Sequence, residues 1–118
     1  MHSEIDENEL VLYIWNHRWL SSLQKGIQTA HLIAEMSLLS TPEFTDWAVF
    51  YKTIIMLDGG SSDNLNQISN KLMFEKACLL EDAFEEDRKS LNGATTCVGA
   101  IFKKSNVPDW VKEYSLAV

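Results

Sequence analysis

Residues 9–39 read ELVLYIWNHRWLSSLQKGIQTAHLIAEMSLL, and this stretch decides the fold. The run from Glu9 to Trp15 is almost entirely apolar and rich in β-forming residues, which predicts a strand buried on both faces of a sheet. After a polar and aromatic loop, residues 23–39 carry apolar side chains at helical spacing and predict the longest helix of the chain. A doubly buried strand that leads into a long helix is typical of an α/β fold.

The predicted helix has apolar side chains on two sides. One stripe consists of Ile27, Ala30, Ala34 and Leu38. A second stripe consists of Leu32, Met36 and Leu39. Since a helix that is apolar on two sides has little surface left for water, we expect it to be deeply buried. His31 lies on the first stripe, where a hydrogen-bonded core histidine is more common than a catalyst.

The rest of the chain continues the alternation of strands and helices. Three further strands are predicted, at 51–57, 76–80 and 94–102. Two further helices are predicted, one capped by Ser62 or Asp63 and one at 107–115. Asp58-Gly59-Gly60 and Asn92-Gly93 are turn signals, and the segment 44–50 stays ambiguous. The order β-α-β-α-β-β-α predicts one α/β domain over 1–118, with its core at about 9–102.

Composition and charge exclude several classes of protein. The chain has 118 residues, of which 46% are hydrophobic and 23% charged, which are values of a globular domain. Its net charge is −7, from 10 basic and 17 acidic residues, and this argues against a broad nucleic-acid interface. The acidic start of the chain does not resemble a signal peptide, and no apolar run is long enough for a membrane span. We expect a cytoplasmic protein that does not enter the membrane.

Neither the cysteines nor the known catalytic motifs identify a reaction for this protein. Cys78 and Cys97 have neither metal-ligand spacing nor a CxxC arrangement, so a reduced pair is expected, with a cross-strand disulfide as the alternative. The Gly-rich phosphate loop, HExxH and GxSxG are absent from the sequence.

The junction between the first strand and the first helix is the first candidate site. Ligands of open α/β sheets bind where the carboxyl end of a strand meets a helix N-terminus. The free N–H groups there favour an anion, and Lys25 adds a positive charge. The alternative is an ordinary helix start, with Ser21 or Ser22 as the cap.

The acidic segment 81–87 and two threonines are further candidates. Paired carboxylates perform acid–base chemistry or hold metal ions, although an acidic run is more often solvated surface. Asp82 stands out because it lies at the end of a predicted strand. Thr95 and Thr96 present hydroxyl groups, although threonine is also a common strand former.

Gln28-Thr29-Ala30-His31, on a helix that follows a strand and a loop, resembles the second class of peptidyl-tRNA hydrolases, the archaeal and eukaryotic type. That family shows a strand, a Met-Ser-x-Gly-Lys loop and a helix that reads Ala-Ala-Gln-x-x-His-Ala. Leu20-Ser21 corresponds to Met-Ser, while Gln28 and His31 correspond to the family's Gln and His.

Two later segments extend the resemblance from about Glu9 to Phe102. Glu81-Asp82-Ala83 resembles the Asp-Ala that follows the family's third strand. The segment 92–99, NGATTCVG, resembles the Pro-Gly-Thr-x-Thr that begins its last strand. Each of these motifs is met only in part.

The chain departs from the family's pattern at three places. Gln24 stands where the family has its catalytic lysine, and Lys25 follows one position later, about 100° further around the helix. The family's Asp-Ala-Gly-x-Thr becomes Asp-Ala-Phe-Glu-Glu at 82–86, so Glu86 replaces the threonine. The loop between Asp82 and Gly93 is about two residues longer than in the family.

The resemblance implies a mixed four-stranded sheet sandwiched between helices, often in a homodimer. It implies hydrolysis of the ester that joins a peptide to the 3′ end of tRNA, without a metal or cofactor. Asp82 would orient or activate a water, and Lys25 or the helix N-terminus would stabilise the oxyanion. The implied catalytic residues are Asp82, Lys25 and Gln28, and the implied substrate-binding residues are Gln24, Ser21, His31 and Thr96.

Three hypotheses remain open. An active hydrolase of peptidyl- or N-blocked aminoacyl-tRNA predicts a positive patch near Lys25, Arg18 and His17, and a cleft that Lys25 shares with Asp82. A catalytically silent relative that binds a protein predicts an exposed apolar patch. An unrelated α/β domain predicts that Gln28 and His31 do not approach Asp82.

Overall fold

Four strands form the centre of the computed structural model, which describes residues 8–85 and 94–117. They are β1 (Leu10–His17), β2 (Ile54–Gly60), β3 (Leu80–Glu85) and β4 (Thr95–Lys103). Their order in the sheet is β2-β1-β4-β3, with β1 and β2 parallel and β4 antiparallel to both of its neighbours. The predicted α/β class and the mixed four-stranded sheet are confirmed.

Helices cover both faces of this sheet. They are α1 (Ser22–Leu38), α2 (Pro42–Asp46), α3 (Ser62–Met73) and α4 (Asp109–Lys112). A π-helical turn, Trp47–Tyr51, continues α2, and a 3-10 turn, Lys104–Asn106, follows β4. Helices α1 and α2 pack on one face, and α3 and α4 pack on the other. Among the described residues, no helix has the length and apolar character to cross a membrane.

The core consists of two apolar layers, one on each face of β1 and β4. Because successive side chains of a strand point to opposite faces, Val11 and Trp15 pack towards α3, while Leu12 and Ile14 pack towards α1. β1 is buried at every position except His17, as the sequence predicts for a central strand. Trp15 is fully buried, and its ring stacks on that of Trp110 at 6.1 Å. α4 is shorter than the predicted helix at 107–115.

The start of α3 differs from the prediction. Ser61, rather than Ser62 or Asp63, is the N-cap: its Oγ accepts a hydrogen bond from the Asn64 N–H. The predicted turn at 58–60 belongs to β2. Gly59 has a packing role, because a Cβ atom there would overlap Leu65 Cδ2. Gly60 has a φ of 79°, which glycine adopts without strain as the chain enters α3.

The third strand also lies later than predicted. Residues 76–80 were expected to form it, but β3 begins at Leu80, so Glu81, Asp82 and Glu85 lie in a strand and not in a loop. Among the described strands β3 lies at the edge of the sheet and pairs with β4 alone, and polar side chains are common on such edges. The other acidic residues of this segment and the Asn92-Gly93 turn lie outside the described residues.

The prediction that α1 is buried on both sides is wrong. Its buried residues are Lys25, Gln28, Thr29, Leu32 and Met36. The stripe that begins at Ile27 and ends at Leu38 is exposed along its whole length, and His31 is exposed with it. The physical reason is the position of α1 in an outer layer, where the sheet covers only one side of the helix.

Candidate functional site

The carboxyl ends of β1 and β2 form the edge of the sheet where an α/β fold normally binds ligands. β1 leads into α1 on one face, and β2 leads into α3 on the opposite face. A crevice between two such connections is the usual ligand position in open α/β sheets. The N-termini of both long helices lie at this edge.

Positively charged side chains collect at this edge around one carboxylate. Arg18 Nε lies 2.9 Å from Asp58 Oδ2. Partial burial alone would raise the pKa of Asp58, but hydrogen bonds from the Gly60 N–H and from Arg18, with the charges of Arg18 and Lys25, lower it. Burial and then the charge of Lys25 lower the pKa of His17. Both effects favour the uncharged form of His17.

A cleft of about 520 Å³ opens beside this group, on the α3 side of the sheet. Its lining includes Arg18, Asp58, Gly60, Asn64, Lys71 and Tyr114. Lys25, Gln28 and Asp82 do not line it. The three residues that the family resemblance assigns to catalysis therefore do not share this cleft.

Gln28 and Thr96 are brought together in the core between α1 and β4. Both side chains are almost completely buried. The Thr96 hydroxyl donates to Gln28 Oε1 at 3.0 Å, and the Cys97 thiol donates to the Gln28 carbonyl oxygen at 3.4 Å. Gln28 thus ties the helix to the sheet through both its side chain and its backbone.

A β-bulge explains why Thr96 faces α1. In the pairing of β3 with β4, Phe84 pairs with Cys97 and Glu85 pairs with Thr95, so Thr96 is the extra residue. A bulge of this kind redirects the side chains on either side of it. The Thr95 hydroxyl accordingly donates to Asn66 of α3 at 2.6 Å, on the opposite face from Thr96.

Asp82 lies in a different, negatively charged environment. Its Oδ1 accepts a hydrogen bond from the Ala83 N–H at 2.9 Å. Burial and then the charges of Asp82 and Glu85 raise the pKa of Glu35 on α1. Burial and then the charge of Asp82 also raise the pKa of Glu81. Because like charges repel strongly at short range, this group disfavours the approach of a phosphate chain.

The remaining predicted residues lie on the outer surface of α1. Ser21 is the N-cap, and its Oγ accepts a hydrogen bond from the Gln24 N–H at 3.1 Å. Gln24 is exposed. The sequence suggested that His31 is a core residue, and this prediction is wrong: His31 is exposed. Its ring lies 5.2 Å from that of Phe84.

Sequence reasoning missed two polar residues near the carboxyl ends of β1 and β2. Asp58 was assigned to a turn, although its place at the end of an apolar run was a signal for a strand end. Asn16 is completely buried, and its Oδ1 accepts a hydrogen bond from the Thr29 hydroxyl at 3.3 Å. No sequence pattern marked Asn16, because its partner comes from the middle of α1.

The thiols and carboxylates show no sign of redox or metal chemistry in the described part of the chain. Cys78 and Cys97 are free, and burial raises their pKa to about 11 and about 12, which makes both poor nucleophiles. Within residues 8–85 and 94–117, no group of three or more His, Cys, Asp or Glu side chains is arranged to hold a metal ion.

Comparison with known proteins adds no assignment. No protein-family model matches the chain, and no curated protein sequence matches it significantly.

Proposed function

We propose that this protein is a peptidyl-tRNA hydrolase-like domain of the cytoplasm that does not hydrolyse esters and acts by binding another protein. The observation that carries the proposal is geometric: the cleft at the carboxyl ends of β1 and β2 does not include Lys25, Gln28 or Asp82 in its lining.

Ester hydrolysis needs a water-activating carboxylate and an oxyanion stabiliser that both reach one reacting carbon. Lys25 is largely buried, and the family's lysine position holds Gln24. Loss of one oxyanion stabiliser typically lowers a turnover rate by about 10²–10³-fold. Gln28 and Thr96 are also occupied with each other in the core, so they are poorly available to a substrate.

Charge supports the same conclusion. Burial and then the charge of Asp82 raise the pKa values of Glu35 and Glu81, which is consistent with negative charge gathered around Asp82. An RNA 3′ end would add phosphate charge to this group at a cost in free energy.

Exposed aromatic side chains support protein binding. Phe74, at the end of α3, is 87% exposed, and Phe50, in the π-helical turn, is 71% exposed. Met73 and Val49 beside them are exposed as well. The two pairs belong to elements on opposite faces of the sheet, so they are two separate exposed apolar groups. Either group could form the centre of a protein interface, where exposed apolar side chains become covered.

An active hydrolase is the second candidate, because the positive group that it requires is present. Arg18, Lys25 and His17 lie close to the carboxyl end of β1 despite the acidic total charge. In this case Asp82 would activate water, Lys25 would stabilise the oxyanion, and Gln28 would hold the tRNA 3′ end.

Hydrolysis of N-blocked aminoacyl-tRNA by the purified protein separates the two candidates. At high protein concentration we expect no release above the buffer rate, and no difference between the wild type and Asp82→Ala. The control is Asp46→Ala, which removes an exposed carboxylate of α2. Turnover that Asp82→Ala abolishes and Asp46→Ala preserves would establish the hydrolase and overturn the proposal.

A further inference from the structure

Strand β3 presents an edge that a further strand can join. Backbone groups of a strand alternate between its two neighbours. The Leu12 N–H donates to the carbonyl oxygen of Thr53, just before β2, at 3.0 Å, so the odd-numbered residues of β1 bond to β4. In the register of the sheet, this alternation makes the even-numbered residues of β3 bond to β4. Glu81 and Ala83 therefore direct their backbone N–H and C=O groups away from β4, where no other described strand lies.

The outward backbone groups of β3 are open to a partner strand. The Ala83 N–H donates to Oδ1 of the neighbouring Asp82 at 2.9 Å, a hydrogen bond that stays within the strand itself. The outward N–H and C=O groups of Glu81 form no hydrogen bond with any residue that the structure describes. Backbone groups of this kind on a sheet edge are a template for strand addition.

A cavity of about 310 Å³ opens beside this edge, on the α3 side of the sheet. Its lining includes apolar side chains from the end of α3 and from the segment before β3, namely Leu72, Met73, Cys78 and Leu79. Met73 is 64% exposed, and Phe74, which follows it, is 87% exposed. The Glu81 side chain lies on the same side, where its Oε2 accepts a hydrogen bond from the Ser69 hydroxyl at 3.2 Å. An apolar side chain of an added strand would be covered in this cavity.

The α1 side of the same edge is negatively charged. Burial and then the charges of Asp82 and Glu85 raise the pKa of Glu35 on α1, and a smaller effect of His31 opposes them. The three carboxylates therefore lie close enough to act on one another. None of them forms a salt bridge with a described residue. A basic side chain placed beside them would supply the complementary charge.

We propose that β3 binds an extended segment of another protein by strand addition, and that this segment alternates apolar and basic side chains. Successive side chains of a strand point to opposite faces. An apolar residue of the added strand therefore covers the cavity beside Met73, while the basic residues before and after it reach Asp82 and Glu85. Hydrogen bonds to the backbone of Glu81 and Ala83 supply affinity, and the two different sides of the edge supply specificity.

This inference rests on the proposed protein-binding function and deepens it by naming the chemistry of the partner segment. It also selects one of the two exposed apolar groups, because Met73 and Phe74 lie beside the open edge of β3. The net charge of −7 favours a basic partner over an acidic one during association.

A titration of the ¹⁵N-labelled full chain, followed by NMR, tests strand addition with a defined probe. The probe is the peptide acetyl-Thr-Lys-Leu-Lys-Val-Lys-Thr-amide, which has basic and apolar side chains on opposite faces of a strand. We expect the largest chemical-shift changes at Glu81 and Ala83. Hydrogen exchange of the Glu81 N–H should slow in the complex, because this group gains a backbone acceptor. The matched peptide with Glu in place of Lys should not bind.

Two variants separate strand addition from general electrostatic attraction. Ala83→Pro removes an outward N–H and places its ring in the path of the added strand, and proline is tolerated on edge strands of this kind. It should weaken binding at least about tenfold. Glu85→Lys reverses a charge at an exposed position and should also weaken binding at least about tenfold. Asp46→Lys makes the same charge change on α2 and should change the affinity less than about twofold, since salt screens distant charges.

The proposal is overturned if the Lys peptide does not bind at millimolar concentration, or if the Glu peptide binds equally well. Binding that both Ala83→Pro and Glu85→Lys leave unchanged also overturns it, as do shift changes centred on Phe50. Failure of the proposed function gives a different result, namely tRNA turnover that Asp82→Ala abolishes. Absence of both turnover and peptide binding would remove only the strand-addition proposal.

Discussion

The two sides of α1 are both apolar in sequence, yet the fold buries only one of them. The sheet-facing side includes the polar residues Gln28 and Lys25 as well as Leu32 and Met36. The outward side is free of charged residues and remains exposed. Apolar character alone therefore does not decide which side of a helix packs on the sheet. The buried side is the one that finds partners on β4, including a hydroxyl for Gln28.

The largest expected contrast is between one leucine on each side. Leu32→Ala removes a completely buried side chain and should lower the free energy of unfolding by about 3 kcal/mol. Leu38→Ala changes an exposed side chain and should alter it by less than about 0.5 kcal/mol. Urea unfolding at low micromolar protein measures both changes in the free energy of unfolding. Equal losses would contradict the assignment of the two sides.

A smaller loss in the free energy of unfolding is expected when the hydrogen bond between Gln28 and Thr96 is removed. Thr96→Val leaves Gln28 Oε1 without its hydroxyl donor and should cost about 2 kcal/mol. Because the two side chains share one hydrogen bond, Gln28→Leu combined with Thr96→Val should cost clearly less than the two single changes together. Thr45→Val, at an exposed threonine of α2, is the matched control and should have little effect. Simple additivity would show that the two residues stabilise the fold separately.

The smallest effect concerns Glu35, at the border between the two sides. Burial and the charges of Asp82 and Glu85 raise its pKa above the ordinary value of 4.5, so the folded state holds this proton to a higher pH than the unfolded state. Stability from this group is therefore full at low pH and declines as the pH rises through the raised pKa. Glu35→Gln should stabilise the monomer at pH 7 by no more than about 0.5 kcal/mol, since solvent screens the group.

At pH 3, Glu35→Gln should not raise the free energy of unfolding, because Glu35 is protonated in both the folded and the unfolded state. Thermal unfolding of the wild type and Glu35→Gln at the two pH values checks the sign, with Glu43→Gln on α2 as the control. A gain in stability that is larger at pH 3 than at pH 7 would refute the conclusion that the pKa of Glu35 is raised in the folded state.

The candidate site shows the same division between local and tertiary information. Gln28 and Thr96 were singled out separately from motif and position, but their hydrogen bond joins residues 68 positions apart and depends on the bulge in β4. Lys25 and Asp82 were expected to act together. The sequence could not show that Lys25 interacts with Asp58, because Asp58 had been assigned to a turn.

Local patterns in the sequence were enough to predict the α/β class, the central strand β1 and the long helix α1. Continuous apolar runs and 3.6-residue periodicity follow from backbone geometry and need no distant partner. The start of β3, the cap of α3, the buried side of α1 and the neighbours of Lys25 and Asp82 were decided only by the tertiary structure. Each of these depends on which distant residue supplies a hydrogen bond, a packing surface or a charge, and a local pattern contains no such information.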